Sequence, residues 1–168
     1  VEFTAMHPKI EVVLTVDDHL VDLIAEHIDV ALRVAHLEDS TLVARKLCDS
    51  PRVLVASPAY LAARGTPSTP ADLAAHDCLV YSNGARVFDE WGFTQDGSNT
   101  SIRVSSKIQI NDGMALVAGA VAGGGVLAID RLMVAHELAH GSLVQLLADY
   151  QLRAGQPVYA VYPARPWL

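Results

Sequence analysis

A strand–helix–strand pattern in residues 10–34 limits the possible fold more than any other feature of this sequence. Residues 10–16, IEVVLTV, are short, apolar and β-branched, which favours a strand. Two aspartates follow as candidate helix caps, and apolar residues then recur at helical spacing over residues 19–27. Residues 29–34, DVALRV, form a second apolar strand. Because such a unit connects parallel strands, we expect an α/β fold with a parallel sheet.

Strand and helix patterns continue to the end of the chain. Further strands are predicted at residues 42–47, 52–57, 78–82, 102–106, 126–129, 143–147 and 157–162. Helices are predicted at residues 59–64, 71–75, 113–122 and 131–140, with a hairpin and loop before residue 102. Pro58 and Asp130 each follow a predicted strand, so the chain is expected to leave one lobe at Pro58 and return at Asp130.

Residues 136–140, HELAH, match the H-E-x-x-H pattern that binds zinc in metallopeptidases. A catalytic zinc needs a third protein ligand, and position 146, where one class of these enzymes has a further histidine, is leucine. Gly141 is expected to end the helix directly after the second histidine. His136, Glu137 and His140 also share the polar face of a predicted amphipathic helix, with Leu132, Val134, Ala135, Leu138 and Ala139 on the other side. A zinc metallopeptidase is therefore kept only as an unfavoured alternative, and His136 is expected to be exposed to solvent.

The composition argues against several other functions. The formal net charge is −7, and Lys and Arg do not cluster, so this segment is not expected to grip a phosphate backbone. Cys48 and Cys78 are expected to be buried, reduced thiols. Gly123-Gly124-Gly125 follows a helix and matches no nucleotide-binding loop. We therefore predict no catalytic residue, no cofactor, no metal site and no membrane contact.

Five stretches of the chain, in order, resemble one protein family. Residues 28–47 (IDVALRVAHLEDSTLVARKL) and 53–81 (VLVASPAYLAARGTPSTPADLAAHDCLVY) closely resemble the effector-binding domain of LysR-type transcriptional regulators. Residues 110–130 (INDGMALVAGAVAGGGVLAID), 141–147 (GSLVQLL) and 157–165 (PVYAVYPAR) are similar to later parts of that domain. Together these motifs are far more specific than the five letters of HELAH.

This resemblance implies a fold and a function. The fold would be α/β and two-lobed, like type 2 periplasmic binding proteins, with mixed, mainly parallel sheets and two hinge crossovers. Residues 1–57, without the first strand of the family's domain, and 130–168 would form the first lobe, and residues 58–129 the second. The lack of that strand predicts a perturbed first lobe or a partner chain that fills the gap.

The implied function is that of a cytoplasmic sensor, not an enzyme. A small-molecule effector, with organic acids as one candidate class, would bind between the lobes. The chain would form a homodimer or higher homo-oligomer and contact DNA only through an N-terminal helix-turn-helix, which is absent from this sequence. A solute-binding protein of the same fold is a further alternative.

Three positions depart from the family's pattern. Ala35 stands where glycine is usual after the arginine, and His27 stands where the preceding helix usually ends in glycine. Asp130 replaces a common proline at the return crossover. A carboxylate at position 130 would disfavour an anionic ligand unless Arg33 neutralises it.

Ligands of open α/β sheets bind beyond the carboxyl ends of the strands. The rule and the resemblance together select nine effector-binding candidates: Asp17, Asp18, Arg33, Val34, Ser57, Asn111, Asp112, Ile129 and Asp130. Arg33 would bind a ligand carboxylate, or else form an internal salt bridge with Asp39 or Asp17. Ser57 and Asn111 have an equally good interpretation as hinge and cap residues.

Overall fold

A computed structural model of the chain describes residues 2–16, 21–34, 41–153 and 155–164. The strands are β1 (Ala31–Val34), β2 (Leu42–Ser50), β3 (Arg52–Ala56), β4 (Cys78–Tyr81), β5 (Glu90–Gln95), β6 (Ser98–Arg103), β7 (Ile108–Ile110), β8 (Val126–Asp130), β9 (Val144–Leu146), β10 (Gln151–Leu152) and β11 (Gln156–Pro163). The helices are α1 (Glu2–Met6), α2 (Pro58–Arg64), α3 (Gly113–Val121) and α4 (Ala135–His140), and short 3-10 helices lie at Pro70–Ala75 and Arg131–Val134. No helix of the described ranges is long and apolar enough to cross a membrane.

The described strands form three sheets. The first has the order β1-β11-β2, and both of its pairings are antiparallel, so β1 and β2 run in the same direction. The second has the order β7-β4-β8-β3-β9 and is mixed, since β4 runs parallel to β7 and β8 whereas β3 runs antiparallel to β8 and β9. The third is a small antiparallel sheet of order β10-β5-β6. The expected mixed α/β fold is confirmed, with the correction that only two of the eight described pairings are parallel.

The strand and helix predicted at the start of the chain are wrong wherever the structure describes them. Residues 11–16 form no strand, and they make no backbone pairing with a described strand. Their apolar side chains are not covered either, since Val13 is 84% exposed. Residues 23–27 form a single turn in place of a helix. The Asp22 carboxylate accepts hydrogen bonds from two backbone N–H groups of that turn, at 2.9 and 3.2 Å, and such local bonds compete with a helix. The remaining part of the predicted helix, residues 19–20, lies outside the described residues.

Most other predicted elements are confirmed within a few residues. Helix α2 begins at Pro58 and ends at Arg64, and Gly65, which has a φ of 82°, caps it. The predicted helix over 131–140 divides into a 3-10 turn followed by α4. The predicted apolar face is mostly wrong: Val134 is fully buried and Leu138 is partly buried, but Leu132, Ala135 and Ala139 are exposed. The 3-10 turn rotates successive residues by a larger angle than an α-helix, so a single helical face does not run through 131–140.

The core lies on both faces of the five-stranded sheet. Leu54 and Ala56 of β3 belong to the cluster on one face, together with Trp91 and Phe93 of β5. Val53 and Val55, which alternate with them, belong to the cluster on the other face, beneath α3. A strand that is buried on both sides is expected to read as a continuous apolar run, and this explains the sequence VLVA in β3.

Two chain passages connect the first sheet to the rest of the molecule. The first lies at Pro51, between β2 and β3, and the second lies between Leu152 and Gln156. These sheet changes do not coincide with the lobe boundaries predicted at 57/58 and 129/130. That division stays a prediction, and the strand memberships favour crossovers at the two passages named here.

Candidate functional site

Arg33 lies in β1, with its side chain half-buried against the turn that precedes the strand. Its guanidinium Nη2 donates a hydrogen bond to the carbonyl oxygen of Val21 at 3.1 Å. The two aspartates proposed as salt-bridge partners, Asp39 and Asp17, lie outside the described residues. Among the described residues this carbonyl is the one hydrogen-bond partner of the side chain, and it occupies one of the five guanidinium N–H donors.

Val34 ends β1 and is exposed. Val34 pairs with Val158 of β11, and Val158 pairs on its other side with Cys48, near the end of β2. Because β1 and β2 run in the same direction, the carboxyl end of β1 lies at the same end of the sheet as the passage at Pro51. Asp17 and Asp18, the other candidates from the first lobe, lie outside the described residues.

Asn111 and Asp112 follow β7 and are exposed. Asp112 caps α3, and its Oδ1 accepts a hydrogen bond from the backbone N–H of Ala115 at 2.6 Å. This is the arrangement expected of an N-cap aspartate. The structure thus assigns one carboxylate oxygen of Asp112 to the helix and leaves the Asn111 amide at the surface.

Ile129 and Asp130 are the last residues of β8. Ile129 is 5% exposed and packs in the core, so any contact with a ligand would have to come from its backbone. Asp130 is half-buried, and burial raises the pKa of its carboxyl, while the nearby Arg52 opposes that rise. Asp130 and Arg52 are paired in register across β8 and β3.

Arg52 is a polar residue of this edge that the sequence reasoning missed. Its Nη2 donates a hydrogen bond to the carbonyl oxygen of Ala128 at 2.5 Å, and its buried Nε has no hydrogen-bond partner in the part of the chain that the structure describes. Burial lowers the pKa of its guanidinium. The sequence signal that could have identified Arg52 is its position directly after a proline, at the start of an otherwise apolar strand.

Strand direction decides which candidates meet. The carboxyl ends of β4, β7 and β8 lie at one edge of the five-stranded sheet because these strands are parallel. The antiparallel β3 begins at that edge and ends at the other one. Asn111, Asp112 and Asp130 therefore share an edge with the passage at Pro51, and the carboxyl end of β1 lies beside the same passage.

Ser57 does not share this edge, because it follows β3. Its hydroxyl is buried, lies at the N-cap of α2 and accepts a hydrogen bond from the backbone N–H of Tyr60 at 3.3 Å. A side-chain atom added at Gly123, which precedes β8, would lie 3.8 Å from the Ser57 Oγ. The structure therefore supports the capping interpretation of Ser57, and a contact with ligand remains a prediction.

A polar network next to the start of β4, at the opposite edge of the five-stranded sheet, has a structural role. The Tyr60 hydroxyl accepts a hydrogen bond from the backbone N–H of Asp77 at 2.9 Å and lies 3.1 Å from Nδ1 of His76. The Asp77 carboxylate contacts Arg64 Nη2 at 3.4 Å and Lys107 Nζ at 3.3 Å. These bonds fix the segment between α2 and β4.

The two thiols differ in their surroundings. Both cysteines are free, and Cys78 is buried as predicted. Burial raises the pKa of the Cys78 thiol to about 12, so that thiol is protonated and weakly nucleophilic at neutral pH. The prediction for Cys48 is wrong, because it lies exposed on β2, an edge strand of a sheet with little cover.

The HELAH histidines are on the surface, and the predicted exposure of His136 is confirmed. The rings of His136 and His140 stack with centroids 4.0 Å apart, and Nδ1 of His140 lies 2.8 Å from the carbonyl oxygen of His136. Gly141 has a φ of 73° and ends the helix, as predicted. Within the described ranges, no group of three or more His, Cys, Asp or Glu side chains could hold a metal ion.

Comparison with known proteins gives one consistent result. The family model described as the LysR substrate binding domain matches residues 1–168. The chain is 32% identical over 163 residues to an uncharacterized HTH-type transcriptional regulator of Haemophilus influenzae, covering 97% of this chain and 56% of that protein. It is also 32% identical over 166 residues to the HTH-type transcriptional regulator PtxR of Pseudomonas aeruginosa, covering 99% of this chain and 53% of that protein. The chain thus spans about half the length of the curated relatives it matches.

A solved structure gives the same result for the fold. The regulatory domain of CrgA, a LysR-type transcriptional regulator from Neisseria meningitidis, superposes with a TM-score of 0.85 at 32% sequence identity. The match covers 97% of this chain and 79% of that domain.

Proposed function

The chain belongs to the LysR substrate-binding domain family and is an effector-binding domain of that type. We propose that it senses a small molecule at the edge where its two main sheets approach each other. The convergence of strand ends carries this proposal. The carboxyl ends of β1, β2, β4, β7 and β8 all approach the passage at Pro51. Ligands of open α/β folds bind beyond such ends.

Arg33 and Asn111 would be the main polar contacts of the effector. Arg33 uses one N–H to hold the Val21 carbonyl and keeps further donors for a carboxylate. Asn111 and the free part of the Asp112 carboxylate would bind hydroxyl or amide groups. Asp130, half-buried beside Arg52, would accept a hydrogen bond, and Arg52 would offset the repulsion between its carboxylate and an anionic ligand.

The remaining candidates would contribute less directly. Val34 would supply an apolar wall, and Ile129 would offer only its backbone, since its side chain is in the core. Ser57 would act by capping α2. Asp17 and Asp18 remain candidates by their position after residues 10–16.

The whole protein would act as a transcription regulator. The relatives are transcriptional regulators, and the part of them that this chain does not span would hold the helix-turn-helix that contacts DNA. We propose that the domain forms homodimers or higher homo-oligomers, works in the cytoplasm and catalyses no reaction. The acidic net charge of −7 agrees with a sensing segment that does not itself bind DNA.

A thermal-shift screen of small aromatic and aliphatic acids tests the effector site. A compound that binds only the folded domain raises its melting temperature. Arg33→Ala should abolish most of that rise, whereas Arg45→Ala, which removes the same charge from the exposed face of β2, should leave it unchanged. An identical ligand-induced rise in both variants would remove Arg33 from the site.

A further inference from the structure

We propose that Asn83 is a site of spontaneous covalent modification, at which the asparagine amide is converted through a cyclic succinimide to aspartate and isoaspartate. Asn83 is followed by Gly84, and both residues lie in the loop between β4 and β5. The reagents are the backbone nitrogen of Gly84 and water, so the reaction requires no cofactor. The proposal uses none of the nine effector candidates and does not depend on the function proposed above.

The reaction begins at the backbone nitrogen of Gly84, which loses its proton to hydroxide and attacks the side-chain carbonyl carbon, Cγ, of Asn83. A bond forms between these two atoms, the bond from Cγ to the side-chain nitrogen breaks, and ammonia leaves with a proton taken from water. The product is a five-membered succinimide ring. Water then opens the ring: attack at Cγ gives aspartate, and attack at the main-chain carbonyl carbon gives isoaspartate. No electron is transferred in either step.

Gly84 presents an accessible nucleophile. It is exposed, and beyond its chain neighbours no atom lies within 4 Å of the position that a Cβ would take. Its N–H makes one hydrogen bond in the part of the chain that the structure describes, to the Ser82 hydroxyl oxygen at 3.4 Å, which is a long distance for such a bond. A backbone nitrogen in a helix or a strand ladder would first have to break a strong bond. Gly84 has no such bond to break, and without a Cβ it lets the ring close with little crowding.

The Asn83 side chain is held in a polarised state. Its Oδ1 accepts a hydrogen bond from the backbone N–H of Arg86 at 2.9 Å. This bond stabilises the negative charge that develops on Oδ1 when the nitrogen attacks, as backbone donors do in acyl transfer. A second bond, from the Asn83 N–H to the Arg86 carbonyl oxygen at 3.2 Å, closes the same turn. Because Asn83 is exposed, water and hydroxide reach the reacting atoms.

The other two asparagines of the sequence lack this combination. Asn99 lies in β6, where its Oδ1 accepts a hydrogen bond from the Thr94 hydroxyl at 2.7 Å. The residue that follows it, Thr100, is β-branched and belongs to the same strand, so its nitrogen is crowded by its own side chain. Asn111 is followed by Asp112, whose carboxylate disfavours loss of a proton from the adjacent backbone nitrogen. Asn83 is therefore expected to react first.

The two products differ in their effect on the loop. Aspartate leaves the main chain unchanged and keeps an acceptor for the hydrogen bond that closes the turn. Isoaspartate passes the main chain through Cγ and so lengthens it by one carbon. The added carbon lies between Ser82 and Val87, which form an isolated antiparallel bridge, next to the ring contact of Tyr81 with Phe88 at 5.6 Å. We expect isoaspartate to open the bridge and aspartate to preserve it.

The test is incubation of the folded protein at mildly alkaline pH, followed by peptide mapping with mass spectrometry. Asn83 should be converted at least about tenfold faster than Asn99 or Asn111, a ratio that requires a difference of only about 1.4 kcal/mol in activation free energy. The rate should rise with hydroxide concentration, and a protein isoaspartyl methyltransferase should methylate the peptide that contains position 83. An unchanged Asn83, after an incubation that converts the asparagine of a synthetic peptide of residues 80–88, would overturn the proposal.

Three variants complete the experiment. Asn83→Gln should abolish methylation of that peptide, because glutamine would have to close a larger ring, whereas the same substitution at the other site, Asn99→Gln, should leave it unchanged. Asn83→Asp carries the charge of the products on an unaltered main chain, so in NMR spectra it should keep the Tyr81–Phe88 contact, which the isoaspartate form should lose. Methylation that persists in Asn83→Gln would contradict the site, and loss of the ring contact in Asn83→Asp would contradict the role of chain length.

Discussion

Arg52 and Asp130 face each other across β3 and β8 as register partners, and the Arg52 guanidinium reaches past its partner to the carbonyl oxygen of Ala128 at 2.5 Å. Burial acts on both side chains: it lowers the pKa of Arg52 and raises the pKa of Asp130. The attraction between the Arg52 cation and the Asp130 carboxylate therefore offsets only part of the cost of burying the two charges. Both side chains lie at the edge where the effector is proposed to bind.

Replacement of Asp130 by asparagine should flatten the pH dependence of folding. The pKa of the Asp130 carboxyl is higher in the folded state than its ordinary value of 3.8, so the folded state holds the proton more tightly. Stability from this group is fully present below the ordinary pKa and is lost as pH rises through the folded value. Urea unfolding of wild type and Asp130→Asn between pH 3 and pH 7 should show a smaller loss of stability over that range in the variant.

A suitable control is Asp96→Asn, the same substitution at the exposed turn between β5 and β6. It should leave the slope of stability against pH as in the wild type. A steeper loss of stability with pH in Asp130→Asn would mean that the pairing with Arg52 outweighs burial.

Gly125→Ala should be one of the most destabilising single substitutions in the second sheet. Gly125 has a φ of 148°, and an added Cβ would clash with the carbonyl oxygen of Asp77. That carbonyl accepts the backbone hydrogen bond of Val126 at 2.9 Å, so it cannot move without loss of the β4–β8 contact. We expect a loss of about 2–4 kcal/mol in the free energy of unfolding, from overpacking and backbone strain together.

The matched control is Gly65→Ala. Gly65 also has a positive φ, 82°, but an added Cβ would meet no atom within 4 Å. With a ψ of 170°, Gly65 lies in a region used almost only by glycine, so the cost should be backbone strain alone, about 1–3 kcal/mol and less than that of Gly125→Ala. Equal losses for the two variants in chemical denaturation would contradict the role assigned to the Asp77 carbonyl.

Removal of the HELAH motif should have no functional consequence. His136→Ala and His140→Ala should each leave effector binding and the melting temperature close to those of wild type, because both side chains are exposed. Metal analysis of tag-free protein after chelator treatment and zinc addition should give much less than one zinc per chain. Stoichiometric zinc that disappears in His136→Ala would contradict this expectation.

Local signals in the sequence predicted the second sheet well. Pro58 and Gly65 bracket α2, and Asp112 caps α3, because each of these residues has a strong conformational preference at a helix end. The apolar runs at β3 and β8 predicted strands because burial on both faces leaves no room for polar residues. Chain direction was not predictable in this way, and the antiparallel β3 moved Ser57 to the edge opposite Asp130.

The start of the chain was predicted less well, for a physical reason. The IEVVLTV segment has a strand-like composition, but a strand forms only when a neighbour satisfies its backbone hydrogen bonds, and 11–16 have no described neighbour. The candidate site was similarly predictable only in part. Asn111 and Asp130 follow from strand ends, whereas the position of Arg52 beside Asp130 depends on the register of β3 and β8.

His27 occupies a backbone conformation that suits glycine better than histidine. Its φ is 54°, in the left-handed region, where a side chain costs about 1–2 kcal/mol, and it is the position at which the family's pattern has glycine. His27→Gly removes that strain but gives the unfolded chain more freedom, so the net gain should be about 0.5 kcal/mol. His27→Val, with a β-branched side chain, should lose about 1–2 kcal/mol. In thermal unfolding, His27→Gly should be the most stable protein, wild type the next and His27→Val the least stable. The control is Ala25→Gly, in the same exposed turn but without a positive φ, which should be less stable than wild type. A higher melting temperature for His27→Val than for His27→Gly would show that the turn does not hold this residue in the left-handed region.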